Sequence, residues 1–138
     1  MITLKSLGLT EANQIVQAGI ARATEISSPS TLCVVDVGGI VIAQARMDGA
    51  SLSSVELAYN KAYTAISTRL ATSFISTIAQ PHGDFYGIAN GLGGRAIIFP
   101  GGVPVIVDGE VVGAVGASGG NGQQDEDVAQ TAAKILNN

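Results

Sequence analysis

The connections between the β-rich runs of this chain are too short for anything but hairpins. Residues 31–37 and 40–46 are separated only by Gly38-Gly39, and 103–107 and 110–117 only by Asp108-Gly109. A parallel pair of strands needs a crossover of a dozen or more residues, whereas Gly-Gly and Asp-Gly tolerate the positive φ of a two-residue turn. Both pairs are therefore expected to be antiparallel. A further β-rich run, 96–100, precedes the Gly101-Gly102 break and brings the expected number of strands to five.

The helices follow from periodicity. Over 10–27, Ala12, Ile15, Val16, Gly19, Ile20, Ala23 and Ile26 recur on one helical face, with Thr10 as the candidate N-cap and Pro29 beyond the end. Ser53 and Glu56 have capping-box spacing ahead of Val55, Ala58, Tyr59, Ala62, Ile66 and Arg69, so a second helix starts near Ser53. The stretch 67–79 reads as a broken continuation or a separate helix, because Pro81 disfavours helical geometry at Gln80. Residues 81–95 hold five glycines and no period, which predicts a loop. Asp125, Glu126 and Asp127 complement the dipole of a terminal helix that carries Val128, Ala129, Ala132, Ile135 and Leu136. The order α-β-β-α-(α)-β-β-β-α specifies an α+β fold, a five-stranded, mainly antiparallel sheet flanked by helices.

With 138 residues, one domain over 1–138 is the expectation. Charged residues make up only 13% and apolar residues 46%; a soluble monomer usually carries roughly 25% charged residues. So few charges cover a surface poorly, and small residues such as Ala18 and Ala21 lie on the polar side of the first helix. A homo-oligomer is expected. The net charge of −4 and a pI near 4.7 argue against nucleic acid and anionic membrane as partners. No run approaches the ~18 apolar residues of a membrane span, and Met1-Ile2-Thr3-Leu4-Lys5 lacks an apolar h-region, so the chain reads as cytoplasmic.

Little in the sequence looks catalytic. Gly116-Ala117-Ser118-Gly119-Gly120 matches the G-x-S-x-G elbow, but no histidine follows Ser118 to act as its base. Its glycines suit a sharp turn out of a strand, or backbone amides that bind an anion, against which the acids at 125–127 already compete. One histidine and one cysteine cannot make a zinc site, and neither phosphate-loop pattern is present. Cys33, between Leu32 and Val34, reads as a small buried hydrophobe. His82 sits between Pro81 and Gly83 as a loop residue. Arg46 and Lys61 are two of only seven basic residues. Lys61 is placed on the helix face opposite Val55 and Ala62, where surface solvation competes with a role beside Arg46 in gripping an acidic ligand.

Five ordered blocks, taken together, resemble the GlcG/HbpS-like family, which also occurs as the C-terminal domain of PduO-type corrinoid adenosyltransferases. They are Val34-Val35-Asp36-Val37-Gly38-Gly39, Arg46-Met47-Asp48-Gly49-Ala50, Lys61-Ala62 with Ala65, Gly101-Gly102-Val103-Pro104, and Asp108-Gly109 through Gly113, Gly116 and Ser118-Gly119-Gly120 to Gln124-Asp125-Glu126 and Ala129. The resemblance implies a profilin-like sheet, a homo-oligomer that is commonly an octamer, and haem or a corrinoid as ligand. It also implies a link to the metabolism of small oxygenated carbon compounds, with a small acidic metabolite as the rival ligand. The expected cleft gathers Arg46, Lys61, Gly101, Gly102, Ser118, Gly119 and Gly120 as ligand-binding residues. If haem binds, His82 is its axial ligand, being the only imidazole. A ligand-binding accessory protein is the leading expectation; the alternative is a small isomerase- or hydrolase-like enzyme acting on an acidic or carbonyl metabolite in the same cleft.

Overall fold

The structure, a computed structural model, describes residues 1–137. In chain order the elements are α1 (Leu9–Glu25), β1 (Thr31–Asp36), β2 (Val41–Arg46), α2 (Leu52–Thr68), α3 (Thr72–Ile78), the single turn α4 (Ile88–Gly91), β3 (Gly102–Val107), β4 (Glu110–Ser118) and α5 (Gly122–Lys134). The four strands form one antiparallel sheet in the order β2-β1-β4-β3. Helix α2 covers one face and α1 with α5 covers the other.

Alternation along β1 makes these layers. Leu32 and Val34 enter the larger core with Ile15, Val16, Val115, Val128 and Ala132, whereas Cys33 and Val35 turn to the alanines of α2 at 58, 62 and 65. Both faces being covered, β1 is a continuous apolar run. Arg22 crosses from α1 to Asp127 of α5, with Nε and Nη2 donating to the two carboxylate oxygens at 2.9 and 2.8 Å.

The α2 face is unusually close because glycine lines it. Gly102 and Gly116 are register partners on β3 and β4. A methyl on Gly116 would strike the Ala58 carbonyl, and one on Gly102 the Lys61 carbonyl, so the backbone of α2 rests directly on this glycine pair.

The expected fifth strand is absent. Residues 96–100 carry no strand and bend at 99–100, and the Ile97 amide donates to Thr64 Oγ1 of α2 at 3.0 Å instead of joining a ladder. Pairing resumes at Gly101, whose carbonyl accepts from the Ala117 amide at 2.8 Å. Three local expectations also change. The cap of α1 is Gly8, whose amide donates to Glu11, and Thr10 lies inside the helix. Helix α2 is capped at Ser51, and Ser53 bonds Ser51 Oγ instead of forming a box with Glu56. The first hairpin turns over three residues rather than two: Gly39 alone takes positive φ (83°), and the Asp36 carboxylate receives the amides of Gly38 and Ile40. The second behaves as expected, with Asp108 at φ 51° and Gly109 at 78°. Among the described residues no helix is long and apolar enough to cross a membrane.

Candidate functional site

Six of the residues expected to bind a ligand converge where β4 runs into α5, but they form a closed network. Lys61 projects from α2 toward the end of β4, where Nζ donates to the Ala117 carbonyl at 3.0 Å and to Asp125 Oδ2 at 2.8 Å. Its side chain is 1% exposed and that of Asp125 5%. The other oxygen of Asp125 receives the Gly120 amide at 2.9 Å, so the loop amide that an external anion would need is already taken. Desolvation lowers the Lys61 pKa, and the bond to Asp125 and the charges of Asp125 and Glu126 oppose that shift.

Lys61 is thus buried on the sheet side of α2 with Ala58, Ala62 and Ala65, not on the face away from Ala62. Its stem passes Gly101, where an added Cβ would lie 2.9 Å from Cδ and 2.8 Å from Nζ; φ at Gly101 is +125°. Phe99 covers Nζ at 5.2 Å from its ring centroid. Glu126 closes the rim, accepting from Ser73 Oγ at 3.1 Å and the Gly101 amide at 3.3 Å. Ser118 is buried at the end of β4, and Gly119 has φ +155° with Pro29 against it. Asp125 and Glu126 are the members that sequence reasoning did not place in the cleft. The sequence offered them as helix-dipole acids, as competitors of an anion at the loop amides and as part of a resemblance block, none of which placed them against Lys61.

Arg46 stands apart from this network. It ends the edge strand β2, exposed, opposite Thr31, which in turn pairs with Ser118. Register partners share a face, and Thr31 bonds Ser54 of α2 at 2.7 Å, so Arg46 lies on the α2 side two strands from Ser118, about 10 Å away. It shares the face of Lys61 without contacting it.

His82 occupies a different feature. The turn after α3 is held by two backbone bonds: the Gly83 amide donates to the Gln80 carbonyl at 2.8 Å and the Phe85 amide to the Ile78 carbonyl at 3.0 Å. A methyl on Gly83 would strike the Ile78 carbonyl. Exposed His82 takes a left-handed φ of 71°, a conformation that non-glycine residues hold at a cost. Further along the same segment Phe85 and Tyr86 are 38% and 68% exposed, and Ala79, Tyr86, Ile88, Asn90 and Ile98 help line a groove of about 330 Å³, whose walls do not include His82. A second cavity of about 410 Å³, between the N-terminal segment and the tip of the β3–β4 hairpin, contains no imidazole. Among the described residues no cluster of three or more histidine, cysteine, aspartate or glutamate side chains could hold a metal ion.

Residues 7–134 match the family described as haem degrading protein HbpS-like. The chain belongs to the HbpS-like family. It is 42% identical to an uncharacterized 15.0 kDa protein in the dhaT-dhaS intergenic region of Citrobacter freundii, over 94% of this chain and 91% of that one. It is 36% identical to the corrinoid adenosyltransferase PduO of Salmonella typhimurium over 96% of this chain, but spans only 39% of that protein. The crystal structure of a PduOC:heme complex superposes with a TM-score of 0.90 at 36% identity, covering 96% of each chain. Family membership accounts for the expected helix-flanked antiparallel sheet, here with four strands.

Proposed function

We propose that this chain is a ligand-binding protein whose ligand is a tetrapyrrole, haem foremost, held on the surface formed by residues 78–91 and 98. One observation carries the reading: the only imidazole in the sequence is exposed on a left-handed turn that leads, a few residues on, to exposed Phe85 and Tyr86, and Tyr86 lines an apolar groove. The donor set suits the group, because haem needs a nitrogen ligand and a flat apolar face, and a cobalt corrinoid has similar needs. When bound, haem supplies a redox-active iron. His82 holds that iron, while Phe85, Tyr86 and Ile88 cover the ring and exclude water. The haem complex of the PduOC relative supports haem as the ligand.

In this reading the Lys61–Asp125 pair is a positioning element. It fixes Gly101, Gly120 and, through Phe99, the segment that leads back to Ile98. Arg46, on the same face of the sheet, contributes charge at the edge. The surface also buries its aromatic side chains in a homo-oligomer, for which an octamer is the proposed state and the cytoplasm the proposed compartment. Exposed Phe74, Tyr86, Phe99 and Leu52 support association. The proposal keeps the link to the metabolism of small oxygenated carbon compounds. Haemin and, separately, hydroxocobalamin are titrated into the purified protein while the visible spectrum is followed. A saturable shifted Soret band, or a shifted corrinoid band, is expected, and a spectrum equal to that of free ligand in both titrations overturns the tetrapyrrole reading.

A further inference from the structure

Arg95 lies against α2 with its guanidinium carbon 3.4 Å from the ring centroid of Tyr63 and 5.1 Å from that of Tyr59. The two tyrosines are four residues apart and so neighbours on one helical face. Stacking between them fixes the plane of the guanidinium, yet it neutralises no charge. Among the described residues no carboxylate pairs with Arg95, and none of its side-chain N–H groups donates a hydrogen bond. Nη2 is closed off from solvent without a partner. The hydroxyls of Tyr59 and Tyr63 are likewise without a partner among the described residues. Of the other basic side chains, Lys5, Arg22 and Lys61 are held by Asp108, Asp127 and Asp125, whereas Arg46, Arg69 and Lys134 have no ion pair among the described residues.

A rigid, half-buried cation with no counter-charge, flanked by phenol donors, is a recognition site waiting for an anion. We propose that Arg95, clamped by Tyr63 and Tyr59, binds a carboxylate. One cation with neutral O–H donors matches a single negative charge better than a phosphate dianion. The carboxylate belongs either to a free small acid or to a propionate of the tetrapyrrole proposed above, and the second source rests on that reading.

The test uses the full chain and two arms. In the first, sodium succinate and sodium propionate are titrated in the absence of haemin, at ionic strength held constant with chloride, and binding is read by calorimetry and tyrosine fluorescence. In the second, haemin and haemin dimethyl ester are compared. Arg95→Lys keeps the charge and Tyr63→Leu keeps the guanidinium, so both guard against simple misfolding of Arg95→Ala, and thermal midpoints are recorded for all. For a free acid, saturable binding by the wild type weakens at least tenfold in Arg95→Ala and at least threefold in Arg95→Lys. For a propionate, the small acids do not bind, haemin affinity falls at least fivefold in Arg95→Ala, and the dimethyl ester binds both proteins equally. The proposal is overturned if neither affinity depends on Arg95, or if Arg95→Ala alters only the mass of the assembly, which would assign the guanidinium to a second copy. Haemin failing to bind leaves the first arm intact.

Discussion

Lys61 Nζ donates to Asp125 Oδ2 at 2.8 Å across 64 positions of sequence, with both side chains buried. The pair joins α2 to the first turn of α5 and, through the Gly120 amide, sets the loop between β4 and α5. Removing one partner strands the other charge away from water. Lys61→Met is expected to lower stability by about 3 to 5 kcal/mol, measured by denaturant melts. Adding Asp125→Asn, which keeps an acceptor for Gly120 and removes the charge, should restore more than half of that loss. Additive single effects would mean that the two side chains are not coupled.

The approach of α2 to the sheet is set at Gly116, beneath the Ala58 carbonyl. Because backbone meets backbone there, no side chain can move aside. Gly116→Ala should cost about 3 kcal/mol or leave the chain insoluble. Ala114→Gly, one turn of the pleat away on the same face, should cost far less. Equal losses would show that helix packing is not limited by the glycine.

How much of this was legible in the sequence depended on whether the cause was local. Asp108-Gly109 announces its turn because positive φ is a demand made within two residues, and the structure meets it at 51° and 78°. The runs 31–37 and 40–46 likewise announced an antiparallel pair, which β1 and β2 form. Residues 96–100 have the same β-rich composition yet form no strand, because Thr64 of α2 takes the Ile97 amide; composition cannot tell which partner an amide finds. Lys61 seemed a surface cation for the same reason. Its burial is decided by Asp125, which the sequence shows only as a helix-dipole acid. The Gly101-Gly102 and Ser118-Gly119-Gly120 segments were recognised as meeting at one place, but not that Asp125 and Glu126 close it from within.

At the Asp108-Gly109 turn a β-branched side chain would have to occupy φ +78° with open space around it, so strain alone is tested. Gly109→Val should lower stability by more than about 1 kcal/mol, and Gly109→Asn by much less. An unchanged denaturation midpoint for the valine variant would contradict the turn geometry.

Burial pushes the Cys33 thiol up to about 12 from its ordinary 9.0. The folded state therefore binds a proton that the unfolded chain releases first, and the thiol's contribution to stability, complete below pH 9, is lost as pH rises from there toward 12. At pH 8 the native protein should react with a thiol-specific disulfide reagent at less than about a hundredth of the rate of the denatured chain. Comparable rates would place Cys33 at the surface.

The central claim concerns His82, and comparing haemin titrations of the wild type and His82→Ala tests it most directly. Both proteins are first shown to be folded and their thermal midpoints recorded, because residue 82 holds a left-handed φ that alanine occupies at its own cost. The account predicts that the wild type gives a Soret band typical of nitrogen-ligated iron, and that the alanine variant binds at least tenfold more weakly with a displaced maximum. Identical maxima and affinities for the two proteins would contradict it.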